Sequence, residues 1–133
     1  MHEVAKAFEG GVFAITLLSE DLAASDSFYG QTLGLAKAFG DEVSSVYMAG
    51  NTAVNILATS QAGELLSPAN ASNANKGVQA VYTLRVADVD AVAAELESKG
   101  ISLLNGPMDR PWGVRTASFR DPSGHVWEIA DHK

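Results

Sequence analysis

Val12-Phe13-Ala14-Ile15-Thr16-Leu17-Leu18-Ser19-Glu20-Asp21-Leu22 begins with the alternation of a strand and ends on the opening of a helix. Large apolar side chains recur at period two, which places Phe13, Ile15 and Leu17 on one face. Asp21 then has the short acceptor side chain that caps a helix N-terminus. Beyond it Leu22, Ser25, Phe28, Tyr29 and Leu33 recur at helical spacing, and Gly34 is a natural C-terminal stop. The same grammar restarts about half a chain later. Gln79 to Val86 alternates as a strand, Asp88 is the cap, Val89, Val92, Ala93 and Leu96 form the helical stripe, and Gly100 is the stop.

Each copy is followed by strand material. In the first, Ser44 to Ala49 and Thr52 to Ala58 flank Gly50-Asn51, a dipeptide suited to a hairpin turn, and a weaker strand precedes them at Ala36 to Phe39. In the second, Ile101 to Leu104 is followed by Val114 to Arg120, then Asp121-Pro122-Ser123-Gly124, then Val126 to Ala130. Asp, Pro and Gly stand where a type I turn favours them. Ser60 to Lys76 is small and polar with one proline, and reads as a linker or loop. The pattern predicts an α+β protein of two tandem βαβββ modules in one domain spanning 1–133. Module one covers about 10–60, the linker about 61–76 and module two about 77–133. Period two predicts that Phe13, Ile15, Leu17, Val54, Ile56, Tyr82, Leu84, Val86, Trp127 and Ile129 lie under the helices. The opposite face, with Ala14, Thr16, Asn55, Leu57, Val81, Thr83, Arg85, Val126, Glu128 and Ala130, is smaller and more polar.

A chain of 133 residues, 47% hydrophobic, can bury its own core without covalent help. It has no cysteine, which excludes disulfides, thiolate metal sites and cysteine nucleophiles. A net charge of −7 opposes the nucleic-acid backbone, so no nucleic-acid partner is expected. No apolar run reaches the roughly 20 residues that cross a bilayer, and the N-terminus lacks the basic start and apolar core of a signal peptide. No membrane partner and a cytoplasmic location are the expectation.

The run from Glu20-Asp21-Leu22 through Phe28-Tyr29 to Leu33-Gly34-Leu35, with the ending Phe119-Arg120-Asp121-Pro122-Ser123-Gly124-His125-Val126-Trp127-Glu128, resembles the glyoxalase and bleomycin-resistance superfamily, the vicinal oxygen chelate proteins. The resemblance implies curved mixed sheets forming clefts, often completed by a second subunit, and hence a homodimer. It leaves the chemistry open, since the superfamily includes lyases, dioxygenases, epimerases, thiol transferases and drug-sequestering proteins. Its metal enzymes place His or Gln on the first strand and Glu on the last strand of each module. Those positions fall here at Ala14 and Val81, which have no side-chain donor, and at Asn55 and Glu128. A register slip does not rescue the set, because the neighbours are Phe13, Ile15, Ala80 and Tyr82. One carboxylate and one amide fall short of the converging ligands a divalent ion needs, so no metal and no cofactor are expected.

Glu128 stands between Trp127 and Ile129 and is either a ligand-facing carboxylate (base, counter-ion or lone metal ligand) or a partner of Arg85 on the same face. Trp112, in Pro107-Met108-Asp109-Arg110-Pro111-Trp112-Gly113, is either a stacking platform beside the cleft or a loop plug. Arg110 and Arg115 flank it and either meet an anionic group or are solvated at the surface, the reading preferred for both. His125 is placed facing away from the cleft floor, and His2 and His132 are terminal. No Gly-x-Ser-x-Gly elbow or phosphate loop is present. The predicted ligand-binding set is Trp112, Glu128, Asn55, Thr83, Arg85, Tyr47 and Phe39, with no catalytic residue. The function expected is metal-independent binding of an apolar or aromatic small molecule, with sequestration of an antibiotic as one form. The alternatives are a lyase, isomerase or dioxygenase-like enzyme with an atypical metal site including Glu128, a metal-free catalyst with Glu128 as its base, and an interaction module whose cleft is vestigial.

Overall fold

A computed structural model of the chain describes residues 7–8, 10–72 and 76–131; His2 and His132 lie outside them. The first half runs β1 (Ala14–Ser19), α1 (Leu22–Asp26), β2 (Ala36–Gly40), β3 (Ser44–Ala49) and β4 (Thr52–Ala58). The second runs β5 (Val81–Arg85), α3 (Val89–Ser98), β6 (Leu103–Asp109), β7 (Arg115–Arg120) and β8 (Val126–Ala130). Both halves form a four-stranded mixed sheet of the same order, β1-β4-β3-β2 and β5-β8-β7-β6, in which only the first and last strands of each half are parallel. The fold is therefore α+β with two tandem βαβββ modules, as the repeat predicts.

Local chemistry sets the element ends. Asp21 Oδ1 accepts from the Ala24 amide at 3.1 Å, and Asp88 Oδ1 from the Ala91 amide at 3.1 Å, so both helices start at the predicted caps. Gly34 and Gly100 end the two helical segments with φ of 71° and 91°, a conformation that penalises any residue with a Cβ. The Gly124 amide donates to the Asp121 carbonyl, closing the predicted turn.

Three local expectations are corrected. The first helix is α-helical only to Asp26 and continues as a π-helix over Ser27–Thr32, with the Leu33 amide donating to the Phe28 carbonyl at 2.9 Å. Consecutive aromatics on a regular helix point about 100° apart, yet Phe28 and Tyr29 are both buried, and the widened turn accommodates them. The linker contains a 3-10 turn at Thr59–Gln61 and a one-turn helix, α2 (Gly63–Leu66). Phe13 is 81% exposed, because it precedes β1 and lies beyond the end of the core.

The buried cluster draws on both halves: Leu17, Phe28, Tyr29, Tyr47, Val54 and Ile56 from the first, with Val89, Ala93, Leu96, Ala117, Phe119, Trp127 and Ile129 from the second. Phe28 meets Phe119 with ring centroids 6.2 Å apart, and Tyr29 meets Trp127 edge-on at 6.1 Å. The buried Tyr29 hydroxyl donates to Asp121 Oδ2 at 2.7 Å and accepts from Trp127 Nε1 at 3.0 Å. His125 Nε2 lies 2.8 Å from the Leu18 carbonyl, which can only accept, so this nitrogen holds a proton. With these faces turned inward against the helices and each other, the other face of each sheet is the freer one, although on the second sheet Thr116, Ser118, Val126 and Ala130 of that face are buried as well.

Candidate functional site on the open sheet faces

Register places one equivalent row on each sheet. In the first, Thr16 pairs with Asn55, Asn55 with Val46 and Val46 with Phe39. In the second, Thr83 pairs with Glu128, Glu128 with Ser118 and Ser118 with Asn105. Asn55 and Glu128 thus hold matching positions, each opposite a threonine on the edge strand. The chemistry matches too. Asn55 Nδ2 donates to Thr16 Oγ1 at 3.3 Å, and Thr83 Oγ1 donates to Glu128 Oε1 at 2.9 Å. Thr16, Thr83 and Asn105 are exposed, Asn55 and Glu128 half-buried, and Ser118 is buried.

The rim of the second row is built by Arg110. Its Nε donates to Thr116 Oγ1 at 2.9 Å and its Nη2 to Asn105 Oδ1 at 2.9 Å, and its guanidinium carbon lies 5.9 Å from the centroid of the Trp112 ring. Trp112 remains 69% exposed, with an aromatic face available beside the row. Arg110, Asn105, Ser118 and Thr116 were not among the predicted ligand-binding residues. Ser118 was legible from alternation with Ala117 and Phe119. Asn105 was not, because β6 runs on to Asp109 through two register shifts where the sequence suggests a strand ending at Leu104. The segment from Pro107 is therefore strand at first and loop only after Asp109.

The other predicted residues separate. Phe39 is on the open face, 56% exposed, at the outer end of the first row. Tyr47 is a correction: it pairs with Val54 on the core face, is 2% exposed, and its hydroxyl donates to Asp26 Oδ1 at 2.6 Å. The alternation of β3 puts Val46 outward and Tyr47 inward. Burial and the Asp26 carboxylate push the Tyr47 phenol well above its ordinary range. Asp26 itself is lowered: burial acts upward on it, but the Tyr47 and Ser45 hydroxyls and Lys37 together outweigh that. Arg85 sits one step beyond Thr83, opposite Ala130, and among the described residues it forms no ion pair with Glu128. Arg115 is not freely solvated. It grips Asp90 bidentately at 2.7 and 2.9 Å and reaches Asp109 at 3.2 Å, and its hydrogen bonds hold the Asp90 carboxyl below the usual range.

Residues 11–129 match the family model of the Glyoxalase/Bleomycin resistance protein/Dioxygenase superfamily. The chain belongs to this superfamily. A curated relative, the uncharacterized protein YraH of Bacillus subtilis (strain 168), is 31% identical over 120 residues, covering 86% of this chain and 93% of that protein. Among solved structures, a glyoxalase/bleomycin resistance protein/dioxygenase from Nocardioides superposes with a TM-score of 0.78 at 20% identity, covering 98% of this chain and 93% of that one. A glyoxalase-related enzyme from Fulvimarina pelagi gives 0.76 at 26% identity, covering 91% and 87%. The lactoylglutathione lyase of Agrobacterium tumefaciens gives 0.74 at 19%, covering 91% and 92%, and shares the fold.

Superfamily membership raises the question of a metal. The first-strand ligand positions are Ala14, opposite Ala53, and Val81, opposite Val126, and none of the four has a donor atom on its side chain. Among the described residues no group of three or more His, Asp or Glu side chains is arranged to hold an ion. Glu128 and Asn55 stand on different sheets, each hydrogen-bonded to a threonine hydroxyl. The residues present do not fit the superfamily's metal site. Among the described residues, no helix is long and apolar enough to cross a membrane.

Proposed function

We propose that this superfamily member is a metal-independent binder of an aromatic cation, held on the open face of the second sheet and sequestered without being turned over. The observation that carries this reading is the state of Glu128. It is a half-buried carboxylate that takes a hydroxyl from Thr83 and has no cationic partner among the described residues. A carboxylate accepts several hydrogen bonds, so acceptor capacity remains for a ligand. Trp112 offers a ring for stacking, and Ser118 and Asn105 continue the polar row. The net charge of −7 adds attraction for a cation. A homodimer whose second copy helps to enclose the ligand is part of the proposal. An antibiotic bearing an amine on an aromatic body is the ligand class that suits the site.

The test is a Trp-fluorescence titration with 1-naphthylmethylammonium and its neutral analogue 1-naphthylmethanol, after equilibration of the protein with nickel, zinc, manganese and iron(II). The ammonium is expected to bind better than the alcohol, and Glu128→Gln to weaken it about tenfold, the loss of one charge-assisted contact. Stoichiometric metal that disappears in Glu128→Gln overturns the reading in favour of a lyase or dioxygenase. Equal affinity for the two naphthyl compounds also overturns it.

A further inference from the structure

The duplication creates two seams, where the β3–β4 hairpin of one module meets the edge strand β5 of the other and where the β7–β8 hairpin meets β1. At the second seam His125 reaches from its hairpin to the Leu18 carbonyl, and the cavity there is about 220 Å³. At the first seam the position matching His125 is Thr52: Ala49 pairs with Thr52 as Asp121 pairs with His125. A threonine is too short to repeat the plug. The cavity at that seam is about 510 Å³, within the roughly 300–1,000 Å³ of small-molecule sites.

Its lining is amphipathic. Leu33, Leu35, Val92, Leu96 and Phe119 supply an apolar interior, drawn from both modules. At the polar end stand Arg85 and Lys99, with Glu95 as the single carboxylate. Lys99 Nζ donates to the Thr32 carbonyl at 3.1 Å and lies 3.6 Å from Glu95, and among the described residues Arg85 forms no ion pair. In a chain of net charge −7, two cations over an apolar cavity are a local reversal that disfavours a cationic ligand and favours an anionic head. We infer that the seam between β5, α3 and the β3–β4 hairpin is a second binding site, for an apolar monocarboxylate whose head meets Arg85 and Lys99 and whose body fills the interior. Thr83, which bonds Glu128, also borders this cavity, but Glu128 does not line it and the inference does not depend on that row's function.

The experiment is isothermal titration of the full chain with decanoate and with decyltrimethylammonium. Decanoate is expected to bind with a sub-millimolar constant and the cationic amphiphile not to bind. The Arg85→Gln/Lys99→Gln pair is expected to weaken decanoate about tenfold or more. Val92→Trp, which fills the cavity, removes binding, while Glu128→Gln leaves it unchanged. Both rim residues are at the surface, so the charge variant reads the site even where Val92→Trp fails to fold. No binding of decanoate below about 5 mM overturns the inference, a ceiling of only about 3 kcal/mol. So does decanoate affinity that survives the charge variant, or equal binding of the two amphiphiles. Loss of naphthylammonium binding in Glu128→Gln with decanoate unchanged separates the two sites.

Discussion

Tyr29 has no exposed surface, yet its hydroxyl both donates and accepts, to the Asp121 carboxylate and from the Trp127 indole of the other module. Tyr29→Phe leaves two buried polar groups each short of one partner, and is expected to cost about 2–3 kcal/mol of stability, measured as a lower urea midpoint at unchanged slope. Burial first, then the charge of Asp121, raises the Tyr29 phenol far above its ordinary 10.0, and burial with Asp26 raises Tyr47 in the same direction. A group whose folded value is raised gives its full stabilisation below the unfolded value and loses it as pH rises past that value. The unfolded phenol ionises there and the folded one does not. Stability should therefore begin to fall as pH approaches about 10 and go on falling above it, and fall less in Tyr29→Phe. Equal losses in the two proteins would show that other groups govern the alkaline limb. Neither the pairing of Tyr29 with Asp121 nor that of Tyr47 with Asp26 is legible from the residues. Each partner is an ordinary turn or helix residue until the fold brings it against a phenol.

At the scale of elements, the caps and stops do what their chemistry predicts. Helix α3 has its first turn secured by the Asp88 cap, with the charge of Asp90 favouring the same end, and no basic residue in its last turn. Asp88→Ala is expected to cost about 1 kcal/mol, and Asp88→Asn a small fraction of that, by thermal or urea unfolding. A larger loss from Asn than from Ala would show that the carboxylate acts by charge and not as a cap acceptor. The strands were legible where alternation is regular, as in β1, β4, β5 and β8. They were less so where register shifts interrupt it: β2, with one shift, gave only a weak signal at Ala36 to Phe39. β6 carries two such shifts, and its extension brings Asn105 beside Ser118 and under Arg110. The π-helical turn after α1 is a further case: helical periodicity announces a helix over Leu22 to Leu33, but the wider turn answers to packing of Phe28 and Tyr29 against the second module.

For the molecule as a whole, neither module closes a core alone. Phe119 and Trp127 pack on Phe28 and Tyr29, and Leu18 is bonded by His125. Fragments 1–60 and 77–133 made separately are expected to lack dispersed NMR spectra, with unfolding of the intact chain a single transition. A dispersed spectrum from either fragment would show that the modules are independent folding units. By itself the sequence determined the repeat, the element order, the caps and the alternation that sorts Asn55, Thr83 and Glu128 onto the polar side of their strands, because period, capping and turn chemistry are local. It also determined that Ala14 and Val81 cannot ligate a metal, since that depends only on residue type. Tertiary structure alone decided that Thr83 and not Arg85 pairs with Glu128, that Arg110 frames the row with Trp112, and that His125 crosses one seam to Leu18 while the other seam holds the larger of the two cavities. Those outcomes depend on distances between residues far apart in the chain, and no local pattern encodes them.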